Sequence, residues 1–316
     1  MSEPTEATWR IGVDEAGYGP NLGPLVVAAS AWRTPPGADL DTVLASAVAR
    51  EPTRDERLLI ADSKAVYQPG GGLAKLEQAV YAALGEAPGW NALVDRLGAD
   101  PDNARTALPW HEGFDPPALI DLDGGDLRAA TNLLSEVCEE GGVEGPRLAA
   151  RLVYPGEFNR LVDEHGTKGA ALSFISIGLA KRLYESVVAE GDACEVVFDK
   201  HGGRNRYAGL LQEHFDAGWV EVLSESRPES RYRQGERLAF RFRSGGEEEL
   251  PVALASMTAK LLREISMQAF NAYWTGHVPG LKPTAGYPVD AKRFKSDIAA
   301  KQAELGIHDE TLWRSR

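Results

Sequence analysis

The run VDEAGYGPNLGP, residues 13–24, sets two carboxylates, Asp14 and Glu15, side by side behind an apolar stretch and then breaks into a glycine-rich turn. A third acid, Asp199, follows directly on the apolar EVVF, and a fourth, Glu264, lies within AKLLREISM. Acids at strand ends stand where an α/β sheet opens into a cleft, the usual place for a ligand. Four carboxylates gathered at one point raise one another's pKa, so such a cluster suits a hard divalent cation with oxygen ligands. Ser256, Lys260, Glu264 and Met267 share one face of a helix by their spacing. An acid on a face that also carries apolar residues can point inward. Each acid also has a plainer reading: a helix cap for Asp199, and an exposed or ion-paired side chain for Glu264.

Other chemistries fit the sequence less well. The glycines at 17, 19 and 23 suggest a dinucleotide loop, but that fingerprint needs glycine where Leu22 stands, and a helix where a strand follows. No Gly-Lys-Ser/Thr phosphate loop, HExxH pair or nucleophile elbow is present. Cys138 and Cys194 are too few for a disulfide scaffold or a cysteine metal site.

The elements that must position the acids can be read from periodicity. WRIGVD and PLVVAASAWR read as an antiparallel strand pair, and RLVYP, CEVVFDK, WVEVLSES and RLAFRFR as further strands. Helices are expected over ADLDTVLASAVAR, LAKLEQAVYAALG (closed by Gly85), 127–140, GAALSFISIGLAKRLYESVVAEG and RNRYAGLLQEHF. Two more are expected over PVALASMTAKLLREISMQAFNAYW and VDAKRFKSDIAAKQAELG. Strands followed by alternating helix and strand predict an α/β domain with a mixed sheet. From about Ala87 to Pro146 the pattern weakens and reads as an insertion or a loosely packed lobe.

The chain of 316 residues is long enough for one large domain. It has no run of about 18 apolar residues that would span a membrane. The start, MSEPTEATWR, has no apolar signal core, which predicts a cytoplasmic protein. Net charge is −13, but residues 1–160 carry −12 of it and residues 161–316 only −1. The second half has basic runs at Lys200, Arg204 and Arg206, at 227–243 and at 292–295. A basic groove on an acidic protein is thus compatible with the sequence, since the fields that govern binding are local.

Five ordered segments resemble type 2 ribonuclease H (ribonuclease HII). GVDEAGYGPNLGPLVVAAS is similar to that family's opening DEAGRGP signature. IADSK, VVFDKH, ALASMTAKLLREISM and AGYPVDAKRF with the closing LWRSR follow in the family's order. Three departures mark a divergent member: Tyr18 replaces the motif's arginine, Glu264 replaces the usual aspartate, and the stretch 68–146 is much longer than the family needs. An Arg-rich hairpin is also inserted before the long helix.

The resemblance implies a ribonuclease H-like α/β fold: a mixed central sheet flanked by helices, in a single domain 1–316. An insertion at about 68–146 and a C-terminal helical extension at about 278–316 complete it. It implies an endonuclease, with a role in DNA replication and repair, that cleaves RNA in RNA–DNA hybrids or ribonucleotides embedded in duplex DNA. The products carry 5′-phosphate and 3′-hydroxyl ends. Asp14, Glu15, Asp199 and Glu264 would hold one or two Mg²⁺ or Mn²⁺ ions, with no organic cofactor. Gly17, Tyr18 and Gly19 would contact the ribose 2′-OH, which distinguishes RNA from DNA. Tyr287 would stack near the junction nucleotide, and Ser63 and Lys64 belong to the substrate-binding set. Arg204, Arg206 and Tyr207 are phosphate-contact candidates, and Glu225 an accessory acid. A monomer acting on a nucleic acid is expected, with no membrane partner. The alternatives are a relative that cuts another structured nucleic acid and a non-catalytic nucleic-acid-binding relative.

Overall fold

The computed structural model describes residues 7–53, 55–68, 71–118 and 126–314. Nine strands form: β1 Thr8–Ala16, β2 Leu25–Thr34, β3 Val48–Ala49, β4 Leu58–Leu59, β5 Glu144–Val153, β6 Ala193–Asp199, β7 Val220–Glu225, β8 Glu229–Gln234 and β9 Leu238–Arg243. Seven make one sheet in the order β5-β2-β1-β6-β9-β8-β7, while β3 and β4 pair separately. β1 is antiparallel to β2 and parallel to β6, and β6 is parallel to β9. The expected mixed α/β sheet, with an antiparallel first pair, is therefore present.

The helices are α1 Leu40–Val43, α2 Ser63–Val66, α3 Ala74–Leu84, α4 Trp90–Arg96, α5 Asp126–Glu140, α6 Pro155–His165, α7 Lys168–Val187, α8 Ala208–His214, α9 Leu250–His277, α10 Pro288–Glu304 and α11 Asp309–Leu312. They cover both faces of the sheet. On one, α9 packs with α3 and the segment around Trp90 and Trp110 against Val26, Ala28 and Trp32. On the other, Ala171, Leu172 and Leu179 of α7 and Leu211 of α8 cover Ile11, Val13, Val196 and Phe198. β1 and β2 are buried on both faces, so their sequences are apolar almost without alternation.

The N-terminus of α9 is set by a glycine. A Cβ at Gly12 would lie 2.2 Å from the backbone of Pro251, so only glycine lets the helix come down onto β1. Ser30 Oγ donates to the Pro251 carbonyl at 2.7 Å from the neighbouring strand. With 28 residues, α9 is about 42 Å long and packs chiefly across β1 and β2.

Several local expectations change. The helix expected over residues 38–50 is only one turn, because the chain bends back at Leu44–Ala47 to form β3. RNRYAGLLQEHF is helical only from Ala208, since Tyr207 stacks on Phe242 at 3.6 Å and fixes the preceding segment as a loop. β8 lacks the apolar pattern of a strand, yet it forms by pairing with β9. The segment from Ala87 to Pro146 is not loosely packed: Trp90, Leu93, Leu97, Trp110 and Leu134 are buried in the same core as α9. Among the described residues, no helix is long and apolar enough to cross a membrane.

Candidate active site

The parallel register of β1 and β6 ends at Val13 opposite Phe198. The next residue on each strand is an acid, so Asp14 and Asp199 come side by side at one edge of the sheet. β9 lies on the other side of β6, with Arg243 opposite Asp199. The chain then turns through Gly246–Glu248 before entering α9. The Gly246 amide donates to Asp199 Oδ1 at 3.0 Å, which fixes this turn over the acid. Arg50 Nη2 binds the carbonyl oxygens of Glu247 and Glu248 at 2.7 and 3.1 Å from the opposite side.

The result is a group of three carboxylates, Asp14, Asp199 and Glu247, whose oxygens all lie within 4.8 Å of one another. Glu15 stands beside them. The strand does not end at Asp14, because the ladder with β2 continues through Glu15 and Ala16. The two acids thus keep strand alternation, and Asp14 is the more deeply buried.

The electrostatics are those of a negative site short of positive charge. Burial first, and then Glu15, Glu247 and Asp199, push the Asp14 carboxyl well above its usual range. Glu15 rises to about 7, chiefly through burial and the Asp199 charge, with Lys64 opposing. Asp199 is also raised by burial, against hydrogen bonds from the Gly246 and Lys200 amides. The nearby cation is Lys64, whose Nζ lies 3.2 Å from Glu247 Oε1, and its side chain is 79% exposed. Ser256 Oγ, on the first turns of α9, donates to Ser63 Oγ at 2.9 Å and so ties α2 to the same floor.

Glu264 is elsewhere. It accepts from Tyr67 OH at 2.9 Å and from Lys260 Nζ at 2.7 Å, with Arg263 Nη1 at 3.4 Å. Like Glu15, it is not among the three acids whose oxygens lie within 4.8 Å of one another, and it lies two helical turns beyond Ser256, beside Lys260, Arg263 and Tyr67. The acid that sequence reasoning missed is Glu247. Its signal was an acid just past a strand end, the same argument that selects Asp199. In GGEEEL three acids compete, and the structure separates them, because Arg241 and Arg243 take Glu249, and Arg243 also takes Glu248.

The other candidates divide. Gly17 adopts φ +88°, and a Cβ there would strike the Arg263 side chain at 2.4 Å, so both space and conformation require glycine. The amides of Tyr18 and Gly19 donate to no protein group among the described residues. Tyr287 is 55% exposed, and its ring faces Gly19, 3.8 Å from where a Cβ would be. Arg206 is exposed, with Glu225 at 3.7 Å, and Arg204 is half-buried. Two lesser readings are overturned. Tyr207 is core, stacked on Phe242, and its hydroxyl donates to the Arg204 carbonyl. Glu225 accepts from Tyr232 OH at 2.8 Å and braces the β7–β8 hairpin.

No family model matches the chain, and no curated protein does. Solved structures similar to it include the complex of PCNA with ribonuclease HII from Archaeoglobus fulgidus, at 16% identity, 97% of this chain, 94% of that chain and a TM-score of 0.42. Ribonuclease H2 from Pyrococcus horikoshii is 13% identical over 96% of this chain and 92% of that chain, with a TM-score of 0.43. Bst ribonuclease HIII in complex with Mn²⁺ is 16% identical over 98% and 67%, with a TM-score of 0.44. Likenesses at this level carry no argument about activity, which has to come from the site.

Proposed function

We propose that the chain is a divergent type 2 ribonuclease H, a divalent-metal-dependent endonuclease that hydrolyses RNA within RNA–DNA hybrids or ribonucleotides embedded in duplex DNA. The observation that carries this reading is the convergence of Asp14, Asp199 and Glu247 beside a glycine loop with free amides. The five ordered sequence segments support it independently.

The donor set fits a hard divalent cation. Three carboxylate oxygens lie within metal-sharing distance, and burial first, then mutual charge, raises the pKa of Asp14, Glu15 and Asp199, a cost that a bound cation would offset. Asp14, Glu15, Asp199 and Glu247 would hold one or two Mg²⁺ or Mn²⁺ ions, Glu247 taking the place first expected of Glu264. When bound, such ions activate water toward phosphorus and stabilise the departing 3′ oxygen.

The protein's own residues orient the strand. The amides of Tyr18 and Gly19, without a protein acceptor among the described residues, can bind the 2′-OH, so the substitution of arginine by Tyr18 leaves this contact available. The exposed ring of Tyr287 offers a stacking surface beside that position. Lys64, on the outer side of Glu247, can meet the scissile phosphate as a mobile positive charge. Arg204 and Arg206 extend positive charge along the same edge.

The test is direct. Purified protein with Mg²⁺ or Mn²⁺ is offered an RNA–DNA hybrid, a DNA duplex with one ribonucleotide, double-stranded RNA and plain DNA. Cleavage confined to the first two, with 5′-phosphate products, is expected. Cleavage of none sinks the proposal, and cleavage only of the others replaces it with a different nuclease activity.

A further inference from the structure

The loop that carries the free amides is held by the far end of the chain. Arg314 N donates to the Asn21 carbonyl at 2.9 Å, and Asn21 Nδ2 returns a bond to the Arg314 carbonyl at 3.2 Å. Arg314 Nη2 donates to the Pro20 carbonyl at 2.5 Å. Leu22 and Trp313 form an antiparallel bridge, so the C-terminal segment lies along the loop as a short extra strand. Asn159 Nδ2 secures that segment by donating to the Trp313 carbonyl at 2.9 Å. On the loop's other side, the amides of Asn21 and Leu22 donate to the Gly286 carbonyl at 2.7 and 3.3 Å.

The burial of Arg314 is unusual for its chemistry. Its side chain is 0% exposed and lies over the Phe158 ring at 5.2 Å. No carboxylate pairs with it among the described residues, and its Nε and Nη1 have no partner. Burial, reinforced by the charge of Arg263, lowers its pKa to about 9. A buried guanidinium is costly unless its bonds hold something that matters. The bonds it makes all go to Pro20 and Asn21. A charge-assisted bond in a dry interior is a strong, directional one. The guanidinium holds the Pro20 carbonyl while the Arg314 main-chain amide holds that of Asn21, which together fix the peptide planes that follow Gly19.

We propose that Arg314 is a positioning residue for the loop Gly17–Leu22, setting the amides of Tyr18 and Gly19 for the substrate through the carbonyls of Pro20 and Asn21. This rests on the proposed nuclease reading for its catalytic consequence, but not for its structural one. The test uses the full chain with Arg314→Gln, Arg314→Lys and Asn159→Ala. Amide hydrogen exchange of residues 18–22 is measured together with Mn²⁺ affinity by calorimetry and kcat and KM on an RNA–DNA hybrid.

Arg314→Gln is expected to speed loop exchange and to lower kcat/KM by about tenfold or more, the scale of small misplacements at a reacting centre. Mn²⁺ affinity is expected to stay unchanged, because Asp14, Asp199 and Glu247 do not touch Arg314. Arg314→Lys is expected to recover part of the loss, and Asn159→Ala to show the same pattern more weakly. A folded Arg314→Gln protein with unaltered loop exchange and kinetics overturns the proposal, and so does a parallel collapse of Mn²⁺ affinity. Should that variant fail to fold, unaltered exchange in both Arg314→Lys and Asn159→Ala overturns it. If the unmodified protein cleaves no hybrid, the nuclease reading fails, while loop exchange still decides the role of Arg314.

Discussion

Two acids at the two ends of one stretch of chain show how differently a carboxylate can be used. Glu247, just before α9, shares its surroundings with Asp14 and Asp199 and has only the exposed Lys64 to answer them. Glu264, in the middle of α9, has a lysine, an arginine and a tyrosine hydroxyl around a single carboxyl. The second acid is satisfied and serves to tie α2, through Tyr67, to the helix. The first meets an exposed lysine alone among the described residues, the setting that the proposed cation would complete. Counting acids in the sequence gives both the same weight, whereas counting their partners in space separates them.

The sharpest way to break that contrast is to neutralise each in turn. Glu247→Gln is expected to lower kcat by more than the roughly 100-fold that loss of an outer-shell partner costs, while Glu264→Gln stays within about tenfold, measured on the same hybrid substrate. The reverse order would restore Glu264 as the metal-binding acid.

Stability should move in opposite directions. Glu264→Ala leaves Lys260 and Tyr67 without their acceptor and is expected to cost about 1–3 kcal/mol in denaturant unfolding. Glu15→Gln relieves a crowded acid and is expected to add about 1–2 kcal/mol to the metal-free protein at pH 8.

The pH dependence follows from the same crowding. The folded protein retains protons on Asp14, Glu15 and Asp199 where the unfolded chain has released them. Where the folded state binds more protons, stability falls as pH rises. For Glu15 that window runs from about 4.5 to about 7. Metal-free melting temperature is therefore expected to fall across it, and Mg²⁺ to flatten the fall by favouring the ionised acids. A melting temperature that rises with pH in the absence of metal contradicts the crowded-acid picture.

The smallest effect belongs to Lys64. Its contact with Glu247 is exposed, so Lys64→Ala is expected to change stability by less than about 1 kcal/mol. Its effect on turnover should show mainly as a raised KM with a reduced dependence on salt.

Much of this was legible from the chain alone where local pattern and tertiary demand agree. The strands that carry Asp14 and Asp199 contain apolar runs that only a buried sheet explains, and parallel register does the rest. Glu247 was not legible, because GGEEEL contains three equivalent acids, and only the positions of Arg241 and Arg243 decide which remains free. The partners of Glu264 were not legible either, because helical spacing predicts a face and not what stands opposite it. The one-turn α1 and the pairing of β8 were hidden for a related reason: contacts distant in sequence override local preference.

The bond between Asn21 and Arg314 has a temporal consequence. Asn21, in the loop beside Asp14 and Glu15, precedes its support at Arg314 by 293 residues of chain. Asp14 likewise waits for residues 199 and 247. Contacts of such separation close late in folding, and a chain grows from its N-terminus at a finite rate. A growing chain thus carries Asp14 and its loop long before it can set them, and the proposed site is complete only once residue 314 has been made and docked.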